Sequence, residues 1–112
     1  MAKHFIDFDK LETLSFNDRS VSIDDKAHKL GEEHGEFLQA LLKFKGAKNV
    51  SASANDATKE HLLEELCDVL NVAIDLINSL DYSDEEVEAM FTKKLNKWAS
   101  KQEKYIDKNW VR

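Results

Sequence analysis

The segment from Leu62 to Leu80 constrains this chain more than any other. Leu62, Leu63, Leu66, Cys67, Val69, Leu70, Val72, Ala73, Ile74, Leu76, Ile77 and Leu80 leave few polar positions. On a helix they wrap most of the circumference, which is the pattern of an element surrounded by others. It predicts a central helix, capped by Asn55 or Asp56 and ending near Leu80. The rest of the chain agrees with a helical fold. It has no proline and three glycines, Gly31, Gly35 and Gly46, which favours long helices over a turn-rich β architecture.

Three further helices follow from periodicity and capping. Phe5, Phe8, Leu11 and Leu14 recur at helical spacing and predict a short amphipathic helix, with Ser15–Ser22 as a connection. Ser22 is a good N-cap for a first long helix, with Asp24 and Asp25 placed in its first turn. Ala27, Leu30, Phe37, Leu38, Leu41, Leu42 and Phe44 form its apolar stripe. Gly31 and Gly35 interrupt it, each costing roughly 1 kcal/mol against alanine. Such a cost is tolerated where a backbone or a ligand comes close. The helix is expected to end near Gly46. Residues 47–56 read as a polar loop of small residues. Ser83 and Glu86 have capping-box spacing and open a last helix of about 20 residues, with Val87, Met90, Phe91, Leu95 and Trp98 on one face. The sum is an all-α antiparallel helical bundle.

At 112 residues the chain suffices for one domain, residues 1–112, and is short for two. A core of this size is modest, so its completion by oligomerisation is expected. The net charge of −6 argues against a nucleic-acid polymer as partner. No apolar run approaches a membrane span, and nothing resembles a signal peptide. The one cysteine, Cys67, reads as a buried packing thiol in a reducing compartment. The cytoplasm is the expected location.

Chemistry concentrates in two acidic clusters. The first long helix reads Glu32-Glu33-His34-Gly35-Glu36 and the central helix Glu64-Glu65-Leu66-Cys67-Asp68. Glu33 and Glu36 are three residues apart, as are Glu65 and Asp68, so each pair shares a helix face. Asp68 lies among apolar neighbours in the helix expected to be most buried. An ionised carboxylate there is costly unless a cation neutralises it. Magnesium takes oxygen ligands of this kind, carboxylates together with waters and phosphates. Two facing antiparallel helices would supply four. The alternative is a solvated acidic face, and the residues alone leave both readings open. A ferritin-like di-iron site would need Glu-x-x-His pairs, and no histidine stands three residues after a glutamate.

EEHGE, 28 intervening residues and ELCD resemble the EExxE…ExxD pattern of the MazG-like all-α NTP pyrophosphatases. That superfamily includes the all-α dimeric dUTPases, the dCTP pyrophosphatases and the phosphoribosyl-ATP pyrophosphohydrolases. KLGEEHGEFLQALLKF and HLLEELCDVLNVAIDLI are similar to its two core helices, and the resemblance covers roughly residues 26–98. It implies hydrolysis of (deoxy)nucleoside triphosphates between the α and β phosphates. The products are a monophosphate and pyrophosphate, as in nucleotide-pool housecleaning. It further implies Mg²⁺, with Mn²⁺ as a substitute, and a homodimer or homotetramer. Glu33, Glu36, Glu65 and Asp68 match the metal ligands. Glu32 matches the leading acid that orients the attacking water in an in-line displacement. The last helix departs from the family, whose lysine, asparagine or arginine, and tyrosine have no clean register in KKLNKWASKQEKY. Lys94 and Lys97, on one face, are the candidates for triphosphate contacts, against solvated helix surface as the alternative.

Other polar residues leave choices open. Asn71, in an apolar stretch, would read a base edge, hold a metal ligand or satisfy a core hydrogen bond. Asp75, one turn further, raises the same question, with an interface role competing. His34 is expected to be exposed, because hard cations select oxygen over imidazole. Trp98 and Trp110 are expected as core or interface anchors more than as base-stacking surfaces. Two functional classes compete with a housecleaning enzyme. One is a non-enzymatic helical oligomerisation module, and the other is a phosphoribosyl-ATP pyrophosphohydrolase.

Overall fold

A computed structural model describes residues 6–46 and 58–106. They form four helices: α1 (Phe8–Asn17), α2 (Ile23–Phe44), α3 (Lys59–Ser79) and α4 (Asp84–Ile106). No strand occurs among the described residues. The chain is therefore all-α, as its periodicity predicts.

Local chemistry sets the boundaries. The Asp7 carboxylate accepts a hydrogen bond from the Lys10 amide at 3.0 Å and opens α1. That helix runs past the predicted connection at Ser15 as far as Asn17. The reason is tertiary: Ser15 is buried, and its hydroxyl accepts a 3.1 Å bond from the Asn78 amide of α3. Ser22 caps α2 by accepting from the Asp25 amide at 3.0 Å. Gly46 follows the end of α2 at φ 74°, a left-handed conformation that costs glycine little. The cap of α3 is Thr58, whose hydroxyl accepts from the His61 amide at 3.0 Å. It replaces the predicted Asn55 or Asp56, which lie, with the loop 47–56, outside the described residues. Ser83 and Glu86 form the predicted capping box, each side chain accepting from the other's amide at 3.1 and 3.2 Å.

The chain divides into two compact units between Asp81 and Tyr82. In the first, α3 packs mainly on α2 and also on α1, which makes it the central helix that its composition predicts. Lys26 meets Asp75 and Ser79, and Glu36 meets Glu65, so α2 and α3 are antiparallel. The buried residues of α2 are Lys26, Glu33 and Ala40. They recur at seven-residue intervals, two helical turns, and so lie on one face. Two of the three are charged. Among the described residues the only buried hydrophobic side chains are Ala40 and Ile74.

Much apolar surface stays uncovered in the single chain. Leu63, Leu66 and Leu70 of α3 are exposed, as are Leu38 and Leu42 of α2. The expected burial around the whole of α3 is therefore not met by one chain. Cys67 is exposed as well, contrary to its reading as a buried thiol. A Cβ built on Gly31 or Gly35 would meet nothing within 4 Å, so no close backbone approach in this chain requires either glycine. In the second unit, α4 leaves Met90, Phe91, Leu95 and Trp98 exposed. Trp110 lies outside the described residues. No described helix is long and apolar enough to cross a membrane.

Candidate metal centre

The antiparallel pairing of α2 and α3 places Glu33 and Glu36 against Glu65. One carboxylate oxygen from each of the three lies within 4.8 Å of the others. Spacing along α2 puts Glu33 and Glu36 on one face, and the crossing helix supplies the third acid. The environments differ sharply. Glu33 is buried at 6% exposure, Glu65 is intermediate and Glu36 is exposed.

Two oxygens of these acids stand apart from the rest. Glu33 Oε2 and Glu65 Oε2 are both buried, and neither has a hydrogen-bond partner. A buried carboxylate oxygen without a donor carries the desolvation cost of its charge unreturned. Electrostatics agree with the geometry. The Glu36 carboxyl is held above its ordinary value, first by the negative charge of Glu33, then by partial desolvation and by Glu65. A carboxyl whose proton affinity is raised by two neighbouring acids lies in a site short of positive charge. An all-oxygen donor set of this kind suits a hard divalent cation such as Mg²⁺ or Mn²⁺. The residues present fit such an ion, because two of these grouped acids each keep a buried oxygen without a donor.

The other oxygen of each inward-facing acid is engaged by a basic residue one turn earlier on its own helix. Lys29 Nζ stands 3.1 Å from Glu33 Oε1 and 3.7 Å from Glu32 Oε2. The Lys29 ammonium is held above its ordinary value, first through its hydrogen bond and charge interaction with Glu33. His61 Nε2 lies 3.6 Å from Glu65 Oε1, and its Nδ1 lies 3.6 Å from Glu64 Oε2. That distance is a contact beyond hydrogen-bond reach. The sequence reading did not single out Lys29 or His61. The available signal was a basic residue four positions before a glutamate on both core helices, a spacing at which helical side chains meet.

The remaining sequence candidates distribute as follows. Asp68 is exposed and stands outside the three-carboxylate group. Its expected burial is thus not found, and the buried acid is Glu33 instead. The apolar neighbours of Asp68 in sequence point to other sides of α3, since successive helical residues turn by about 100°. Glu32 and Glu64 are exposed beside their basic partners. Asn71 is exposed as well, so it is not the buried amide expected. It lines a cleft of about 300 Å³ between α1 and α3, with Lys10, Leu14, Cys67 and Leu70. Asp75 pairs with Lys26 at 3.1 Å. His34 is exposed, as its reading predicts, and Lys94 and Lys97 are exposed on α4 in the second unit.

A scan of protein-family models finds no match to this chain, and neither the curated proteins nor the solved structures searched contain one.

Proposed function

We propose that this chain is a Mg²⁺-dependent, MazG-like nucleoside triphosphate pyrophosphohydrolase that cleaves (deoxy)nucleoside triphosphates to the monophosphate and pyrophosphate. The observation that carries the metal half of this reading is the buried Glu33 carboxylate, which has an orphaned oxygen and groups with Glu36 and Glu65. The resemblance of EEHGE and ELCD to the superfamily pattern supports the reaction. Glu33, Glu36 and Glu65 would hold the ion, with Asp68, one turn beyond Glu65, completing the set. Magnesium, when bound, neutralises phosphate charge and orients the displacement at the α-phosphorus. Glu32, exposed beside the cluster, would orient the attacking water. Asn71, at the rim of the α1–α3 cleft, would meet the nucleoside. Cytoplasmic nucleotide-pool housecleaning is the role that fits such an activity.

Assembly as a homodimer or homotetramer belongs to the same proposal. Gly31, Gly35, Leu38 and Leu42 fall on one side of α2, at spacings of four, three and four residues, and all are exposed. A face of small residues and leucines in water is suited to another helix. This observation also favours the second reading, a helical module whose only task is oligomerisation.

The deciding experiment incubates the protein with a nucleotide panel, phosphoribosyl-ATP included, and Mg²⁺. Release of pyrophosphate and a monophosphate is expected, with a free (deoxy)nucleotide preferred over phosphoribosyl-ATP. Glu36→Gln and Asp68→Asn variants should remain folded and lose that activity. An oligomer without turnover of any nucleotide, and with no thermal response to Mg²⁺, would sustain the oligomerisation module instead.

A further inference from the structure

We propose that Lys29 is an exchangeable counter-ion, which neutralises Glu33 in the metal-free protein and turns to the phosphates of a bound polyphosphate once a divalent cation takes that carboxylate. The inference rests on the metal-site reading above and extends it to the recognition of the anion. It begins from the unequal treatment of the two Glu33 oxygens. Oε1 faces Lys29 Nζ at 3.1 Å, while Oε2 is buried without a partner. Lys29 therefore leaves one oxygen without a partner on a carboxylate that groups with Glu36 and Glu65.

Lys29 is built to move. Its side chain is 53% exposed, and its acidic contacts are Glu33 and the exposed Glu32. An ion pair with one partner in water is weak and readily exchanged. Lys26, three residues earlier on the same helix, shows the opposite design. It is 4% exposed and fixed by both Asp75 and Ser79. A divalent cation on Oε2 would be a close neighbour of the Lys29 ammonium, and like charges at such range repel. A polyphosphate brought to the same cation offers the ammonium a better partner. Lysine serves phosphate as a compact point charge on a flexible stem. Glu33 would thus pass from lysine to metal as Lys29 passes from carboxylate to phosphate.

The test is calorimetric titration of the full chain, wild type against Lys29→Met and Lys29→Arg, first with Mg²⁺ alone and then with inorganic triphosphate at saturating Mg²⁺. Lys29→Met should bind Mg²⁺ about threefold tighter or more, because an internal competitor is gone. The same variant should bind triphosphate about tenfold more weakly or worse, because a charged hydrogen bond is lost. Lys29→Arg should keep both affinities near wild type. Opposite signs in the two titrations are the signature. Weakening of both would make Lys29 a support for Glu33 and overturn the exchange, and no change in either would make it a bystander. A wild-type protein that binds no Mg²⁺ would remove the metal-site reading itself, and this inference with it. Wild-type Mg²⁺ binding with an unaltered Lys29→Met titration would remove the inference alone.

Discussion

The seam between α2 and α3 buries two charges two helical turns apart, and the protein treats them in opposite ways. The Lys26 ammonium donates to the Asp75 carboxylate at 3.1 Å and to the Ser79 hydroxyl at 2.7 Å, and Ser79 donates onward to the Asp75 carbonyl. That network is closed. Glu33, on the same face of the same helix, keeps one oxygen on a half-exposed lysine and the other without a donor. A buried charge with its bonds made serves as a structural joint. A buried charge left open lacks the partner that buried polar groups ordinarily have. Burial and partners alone distinguish the satisfied Lys26 from the half-satisfied Glu33.

The largest expected effect breaks the open side. Glu33→Gln should lower turnover by more than the roughly 10–100-fold seen when a residue that only supports a metal ligand is changed. Its metal-free stability in urea should change by less than about 1 kcal/mol, because the lost Lys29 pair is half-exposed. A large loss of stability with activity retained would invert the assignment of the two charges. Lys26→Met attacks the closed side. Removing one partner of a buried pair costs about 3–5 kcal/mol. The lower end is expected here, since the Asp75 side chain is 26% exposed. Urea unfolding measures that loss, and turnover per folded molecule should stay near wild type.

Ligand linkage sharpens the same contrast at smaller amplitude. Mg²⁺ at tenfold excess over its Kd should stabilise the protein by about 1.4 kcal/mol. That amounts to a rise in Tm of several degrees for a domain of this size. The rise should survive Lys26→Met and disappear in Glu33→Gln, and differential scanning calorimetry checks both. The smallest effect is a pH trend. The folded Glu36 carboxyl is raised above its ordinary 4.5 by Glu33 and Glu65. Its contribution to stability is fully present below 4.5 and is lost as pH rises through the raised folded value. Melting curves of the metal-free protein should record that decline. Saturating Mg²⁺ should reverse its sign, because the cation favours the ionised acids. Glu36→Gln should flatten both trends.

The parts of this fold that were legible in the sequence are the local ones. Ser22 caps α2, and Ser83 with Glu86 caps α4, because a side chain three residues from an amide is all that such a cap requires. Thr58 escaped notice because Asn55 and Asp56 offered the same chemistry a few residues earlier. The candidate site was legible as a set of acids and illegible as a geometry. Asp68 sits among apolar letters in sequence and is exposed in space. Glu33 sits between Glu32 and His34 and is buried, on the face of α2 that also buries Lys26 and Ala40. Burial of a helical residue is decided by which side faces a neighbour, and the central helix, apolar almost all round, gave no hint of that side. The same ambiguity hid Cys67, which one chain leaves in solvent.

The single hydrogen bond from Asn78 to Ser15 has a consequence for how this molecule breathes. It is the one hydrogen bond between α1 and α3 among the described residues, and Ser15 is the only buried residue of α1. Phe8, Leu14 and Phe16 of that helix remain in water. A segment with so little buried surface opens at far lower free energy than the unit it leans on. Amide protons of α1 should therefore exchange with solvent well before those of α2 and α3. Ser15→Ala should advance that exchange further and leave the protection of the α2–α3 seam unchanged.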